Sequence, residues 1–349
     1  MHQLETVMDK NSSSMTMKDI ARELGVSVAT VSRALKDSPR ISKEKREQIK
    51  EFARQHDFSP NMLAESLRNS KVRPTKVIGV ILPQYTHFYF SSVMAGIDEM
   101  ATKNGYVLMV AQSCEDYNRE VDICRKFLDN KVCGIILSQS KNTSQYDHFR
   151  KLMAAGLPLV FFDRICTGIE AARVVVDDYQ GAYNATQHLI ETGCRRIAFF
   201  GAPKHLEISK NRYNGYLDAL RKNGLQPDDH FVKVCDNRND AEAVTLEMLQ
   251  QEDIPDAFFA INDETAIGIM ATAKRLGYRI PEDISVCGFT NSNQSVACDP
   301  MLTTVEQRGV DIGWEAADIL IKQVEGILPT DRIEKRIVKT RLIVRESTR

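Results

Sequence analysis

From Thr16 onward, apolar residues recur at the spacing of short helices. Ile20 and Leu24 fall one turn apart on one face, and Thr16, with Asp19 three positions on, supplies a start signal. Gly25 ends this first helix. Ser27 then caps a second, from Val28 to about Lys36, with Val31, Ala34 and Leu35 on its inner side. After Pro39, Ser42 caps a third helix through about His56, whose Ile49, Phe52 and Ala53 can close a small core. Two helices joined through a glycine turn and buttressed by a third make a helix-turn-helix.

The stretch Ser59 to Arg68 has an N-cap, a proline at the first helical position and good helix formers, followed by Lys71 and Arg73. A helix this short needs a partner to persist in water. Its Leu67 is either a core contact or a wedge for a DNA minor groove.

Beyond Pro74 the pattern changes period. Strand candidates are Lys76–Leu82, Tyr106–Ala111, Gly134–Leu137, Pro158–Phe162, Val174–Val176, Arg196–Phe200, Phe258–Ile261 and Ser285–Gly288. Helical patterns lie between them: Ser92–Asn104, Asn118–Asn130, Gly181–Thr192, Arg212–Asn223, Ala241–Gln250 and Thr265–Leu276. Strand then helix, repeated, predicts a parallel α/β architecture in two similar lobes divided near Val175, with ligands beyond the carboxyl ends of the strands.

The overall charge of the 349 residues, -1, conceals a segregation. Residues 16–73 hold 13 Lys and Arg against 8 Asp and Glu, a balance of +5, leaving -5 for residues 74–349. The eight cysteines include no Cys-x-x-Cys pair and all fall outside the basic head, which reads as reduced, mostly buried thiols of a cytoplasmic protein. Residues 1–15 lack the pattern of a signal peptide and read as a disordered leader. Met15 is a candidate true start, and no apolar run is long enough to span a bilayer.

In a helix-turn-helix the second helix presents its first residues to the major groove. Those are Val28 and Ala29, with Arg33 one turn on. Arg33 can contact guanine with two prongs, whereas Val28 and Ala29 offer apolar contact, for instance to a thymine methyl. Thr16, Ser27, Thr30 and Ser32 suit phosphate oxygens. The bland alternative is a helical bundle whose Ser and Thr are caps and whose charges form a solvated face.

Enzyme signatures are missing: Gly-x-Gly, Gly-Lys, His-Glu-x-x-His and Gly-x-Ser-x-Gly do not occur. The predicted strand ends instead carry polar and aromatic groups: Gln84 to Phe90, Ser138, Asp163-Arg164, Asn262-Asp263 and Thr290-Asn291. Mixed donors and acceptors beside aromatic faces suit a polar small molecule such as a sugar. Each has a structural alternative: Asp163 and Asp263 as helix caps, Phe88 or Tyr89 as core or dimer contacts, Trp314 as packing.

The text resembles the LacI/GalR family of bacterial transcription regulators in TMKDIARELGVSVATVSRAL, FSPNMLAESLR, NDETAIGI, PEDISVCGF, PMLTTVEQ and RLIVREST. The resemblance implies a helix-turn-helix domain (16–59), a hinge helix and linker (60–73), and a periplasmic-binding-protein-like core of two Rossmann-like lobes (74–349). The lobes would be 74–174 with 306–330 and 175–305 with 331–349, the chain crossing between them near Val174, Glu306 and Thr330. It also implies that Val28, Ala29 and Arg33 read the operator and that Asn61, Ala64 and Leu67 belong to a hinge that folds on DNA, Leu67 wedging between bases. Phe90, Ser138, Asp163, Arg212 and Asn262 would line the effector pocket. At Thr290 several sugar-responsive members carry an acidic residue, so Thr290 marks a departure within that pocket.

The expectation is a cytoplasmic regulator, most simply a repressor, without cofactor or metal. It would bind a palindromic operator in double-stranded DNA as a homodimer, since no heptad tail follows the last strand pattern, Ile337–Val344. A sugar or sugar derivative is the expected effector, with a nucleobase or a protein corepressor as alternatives. A free-standing sugar receptor and a Rossmann-type enzyme are the competing classes.

Overall fold

The computed structural model describes residues 15–56, 58, 75–330 and 333–349. They fall into two compact units, up to Pro74 and from Thr75 on.

In the first unit, α1 (Met17–Glu23), α2 (Val28–Leu35) and α3 (Lys43–Gln55) match the expected helices within about a residue. Thr16 and Asp19 form a reciprocal capping box, and Ser27 and Ser42 each accept a backbone N–H at the third helical position. Ile20, Ala21, Val31, Ala34, Ile49 and Ala53 form the buried centre, with Phe52 and Phe58 packed against it. Lys50 pairs with Asp37 at 2.6 Å and Arg46 donates to the Asp37 carbonyl at 2.9 Å, tying α3 to the turn that follows α2.

The second unit holds two six-stranded sheets. Its first lobe has β1 (Val77–Leu82), α4 (Phe88–Lys103), β2 (Val107–Gln112), α5 (Tyr117–Asp129), β3 (Gly134–Leu137), α6 (Asp147–Ala154), β4 (Leu159–Phe162) and β5 (Ala172–Val176). The second has α7 (Asp178–Glu191), β6 (Ile197–Gly201), α8 (Glu207–Lys222), β7 (Val232–Val234), α9 (Arg238–Met248), β8 (Ala257–Ala260), α10 (Asp263–Arg275), β9 (Ser285–Thr290), α11 (Asn293–Ala297) and β10 (Thr303–Glu306). The chain then returns to the first lobe as α12 (Gly309–Val324), which lies along α4. Phe161, Phe162, Phe199, Phe258 and Phe259 are among the large side chains buried on these sheets.

The final crossing falls later than the sequence suggests. β11 (Lys335–Val338) pairs in parallel with β5 in the first sheet, and β12 (Arg341–Ile343) pairs antiparallel with β10 in the second. The segment 331–349, expected wholly in the second lobe, is therefore shared, and the passage lies at Lys339-Thr340 instead of Thr330. The run Ile337–Val344 reads as one strand because an extended chain can leave one sheet for another without a glycine or proline to mark the change.

Two close approaches fix the helices that flank the lobes. A Cβ at Gly96 would strike the Val310 carbonyl and one at Gly313 the Val93 carbonyl, so α4 and α12 pack backbone to backbone. A Cβ at Gly215 would likewise strike the Tyr179 carbonyl, where α8 meets α7.

Candidate DNA-reading helix and ligand cleft

On the head, α2 turns Val31 and Ala34 inward and leaves Val28, Ala29 and Arg33 exposed. The side chains expected to read bases thus share the outer face of the helix, Val28 and Ala29 in its first turn and Arg33 in its last. Thr16 and Ser27 are exposed, while Thr30 and Ser32 are half-buried. Ser27 and Thr30 hydroxyls lie 2.9 Å apart and Ser27 Oγ accepts the Thr30 N–H at 3.1 Å, so caps and candidate phosphate contacts are the same atoms. Asn61, Ala64 and Leu67 lie outside the described residues.

In the second unit a cleft of about 710 Å³, its mouth included, lies between the lobes. Phe90, Asp163, Arg212, Asn262 and Thr290 all line it. Ser138 does not: it follows β3 directly, is fully buried, and its hydroxyl has no partner.

Arg212 is set by helix packing. The bare backbone at Gly215 lets α8 close on α7, where Arg212 Nε donates to Asp178 Oδ1 at 2.8 Å and Nη1 to the Ile261 carbonyl at 2.5 Å. Its guanidinium lies 3.7 Å from the centre of the Phe289 ring. Burial pushes the Asp178 carboxyl up to about 6, with Arg212 opposing that rise.

Asn262 is the N-cap of α10, its Oδ1 accepting the Thr265 N–H at 2.8 Å and its Nδ2 donating to the Asp236 carbonyl at 2.9 Å. Asp263 accepts from the Thr304 hydroxyl at 2.5 Å and the Ser292 N–H at 2.7 Å, so its role is to hold β10 and the segment after β9. Thr290 donates to Gln307 at 3.0 Å, and Trp314 donates to Glu99 at 3.1 Å on the α4–α12 pair, away from the cleft lining.

Asp163 differs. Its backbone is left-handed, with φ of 56°, and it lines the cleft without capping a helix. Burial raises its pKa, against the pull of Arg164 and Arg212. Around it the Tyr89 hydroxyl, His87 Nδ1 and Arg164 Nε are buried without hydrogen-bond partners among the described residues, so the cleft offers unsatisfied donors and acceptors. Burial also lowers the His87 pKa, opposed by Glu264 and Asp163, and pushes the Tyr89 hydroxyl far above its ordinary range.

Sequence reasoning did not single out Glu115, Lys141 or Asp236. Arg164 donates to Glu115 at 2.6 Å, and Glu115 also accepts the Lys141 backbone N–H at 2.7 Å. Lys141 Nζ reaches across to Asp236 Oδ2 at 3.0 Å, and His205 bonds the Lys141 carbonyl at 2.7 Å. The last two contacts clasp one lobe to the other beside the cleft. Lys141 follows the strand-end position Ser138 by three residues, but its partners are remote in sequence.

A helical head with a free reading face, joined in one chain to a two-lobed body with a polar cleft, defines a ligand-responsive DNA-binding regulator. Residues 16–61 match the bacterial regulatory proteins of the lacI family, and residues 75–345 match the periplasmic binding proteins and sugar binding domain of the LacI family. The chain belongs to the LacI family of bacterial regulatory proteins, which makes it a regulator and not an enzyme. It is 30% identical over 343 residues to the HTH-type transcriptional repressor CytR of Escherichia coli (strain K12), covering 97% of this chain and 98% of that one. A solved complex of the transcriptional regulator CelR with cellobiose is similar, with a TM-score of 0.73, 25% identity, and 95% and 99% of the two chains covered. The Lac repressor dimer bound to operator and the anti-inducer ONPF aligns with a TM-score of 0.85 at 23% identity, over 96% and 99% of the chains, a likeness that bears on fold. No described helix is long and apolar enough to cross a membrane.

Proposed function

We infer that this protein is a cytoplasmic transcriptional repressor that binds a two-fold symmetric operator as a homodimer, its affinity set by a small polar molecule held in the cleft. One observation carries this reading: the chain that exposes Val28, Ala29 and Arg33 on a capped helix also forms an open polar cleft between two lobes joined by three crossings. The relatives support it, one being named a transcriptional repressor and another solved with cellobiose.

Ligand binding biases the closure of the lobes, a hinge-type transition. Coupling of this kind amounts to about 1–3 kcal/mol. The hinge helix and linker expected from the sequence at 60–73, too short to be stable alone, suit so small a bias, with Asn61, Ala64 and Leu67 as the proposed DNA contacts. Phe90, Asp163, Arg212, Asn262 and Thr290 are the proposed ligand contacts, Asn262 and Arg212 acting from positions fixed by other bonds.

The test is fluorescence anisotropy of the purified protein on its own upstream DNA, titrated with sugars, sugar derivatives and nucleobases. Salt-sensitive binding shifted at least several-fold by one ligand supports the reading. Binding to that DNA no tighter than to random duplex would refute it.

A further inference from the structure

The cleft contains three cationic side chains, and each is already matched. Arg164 is paired with Glu115 at 2.6 Å, Lys141 with Asp236 at 3.0 Å, and Arg212 with Asp178 at 2.8 Å. Two carboxylates in the lining form no ion pair among the described residues: Asp163, on the first lobe, whose pKa burial raises against the pull of Arg164 and Arg212, and Glu264, in the first turn of α10 on the second. Both act electrostatically on His87, which lies in the same wall. His87 does not balance them, because burial favours its neutral form.

A pair of carboxylates would not by itself define a site. Here Tyr89, only 3% exposed, lines the same cleft with its hydroxyl unpartnered, within electrostatic reach of Asp163. A buried hydroxyl left without a bond is costly unless something else supplies one. The unpartnered hydroxyl and the two carboxylates without an ion pair therefore line one cleft.

We propose that the effector is a cationic, hydroxyl-bearing small molecule, such as an amino sugar, whose ammonium group is held by Asp163 and Glu264 while Tyr89 bonds a neighbouring hydroxyl. This deepens the repressor reading and rests on it. A carboxylated or phosphorylated ligand would meet cations that are each already ion-paired, Arg164 keeping only its Nε donor without a partner, and would share the cleft with Asp163 and Glu264, a repulsive element that selects against it. An ammonium group meets the opposite field, and because Asp163 and Glu264 belong to different lobes it would draw the lobes together.

The test uses matched triplets on the full chain: glucose, glucosamine and glucose 6-phosphate, with the same three forms of galactose and mannose. Binding is read by isothermal titration and by operator affinity. At least one amino sugar should bind tenfold or more tightly than its neutral parent, with its phosphate ester weaker than both. In Asp163→Asn and Glu264→Gln, each of which keeps side-chain size, that preference should fall at least tenfold. Far-ultraviolet circular dichroism and the urea midpoint of both variants report whether they remain folded. Tighter binding of a neutral sugar or a phosphate, or an amine preference that survives both substitutions, overturns the proposal and leaves the repressor reading standing. If no member of any triplet binds or changes operator affinity, this assignment falls, whereas the repressor reading is decided by the DNA titration with the wider ligand panel.

Discussion

Lys141 Nζ lies 3.0 Å from Asp236 Oδ2, an ion pair that spans the two lobes beside the cleft. Its side chains are 29% and 16% exposed, so solvent screens the pair only in part. A double-mutant cycle of Lys141→Met and Asp236→Asn in urea unfolding should give a coupling of about 1 kcal/mol. The value should shrink in high salt. A coupling indistinguishable from zero at low salt would show that the clasp contributes nothing to stability.

The buried pair beneath the cleft should leave a pH signature. With its folded pKa raised to about 6, Asp178 holds a proton in the folded state over a range where the unfolded chain, near 3.8, has released it. Its stabilising contribution is thus fully present below pH ~4 and declines as pH rises toward about 6, by up to roughly 3 kcal/mol. The stability difference between the parent and Asp178→Asn, from urea midpoints at several pH values, should fall across that window. A flat difference would contradict the assignment.

Caps, turns and the reading helix were legible because their signals are local. Thr16, Ser27 and Ser42 act within three residues of themselves. The helix Gly309–Val324 was not, since Gly309 and Gly313 weaken its intrinsic signal and make sense only once α4 lies against it. The Lys141–Asp236 clasp was equally hidden, because its partners stand 95 positions apart and meet only through tertiary folding. Of the expected ligand contacts, Ser138 alone lies outside the cleft lining, for polarity at a strand end does not fix which way the side chain faces.

On DNA, Arg33→Ala should cost about 1–3 kcal/mol and relax preference at one base position. Ser27→Ala should cost about 1 kcal/mol of helix stability through its lost cap and weaken binding evenly across sequences. Anisotropy titrations against operator variants separate the two patterns. An Arg33→Ala protein with undiminished base preference would remove Arg33 from the readers.

The cysteines give a check on the packing of the body. Six are buried, Cys298 is half-buried and Cys114 is exposed. Burial raises the pKa of Cys124, Cys133, Cys166, Cys194, Cys235 and Cys287, which keeps them protonated and slow to react. An aromatic disulfide reagent should label Cys114 rapidly, Cys298 more slowly and the rest only in denaturant. Fast labelling of three or more thiols in the folded protein would show the core to be looser than described.

The glycine contact between α4 and α12 also bears on how a small event in the cleft could be felt far away. With Gly96 and Gly313 set against the opposing backbones, neither helix can bend or slide without the other. Phe90 stands at the cleft end of α4, and the sixteen residues of that helix extend about 24 Å. The paired helices therefore serve as a stiff lever, and a fraction of an ångström imposed at Phe90 arrives at Lys103 as displacement instead of being lost as local deformation.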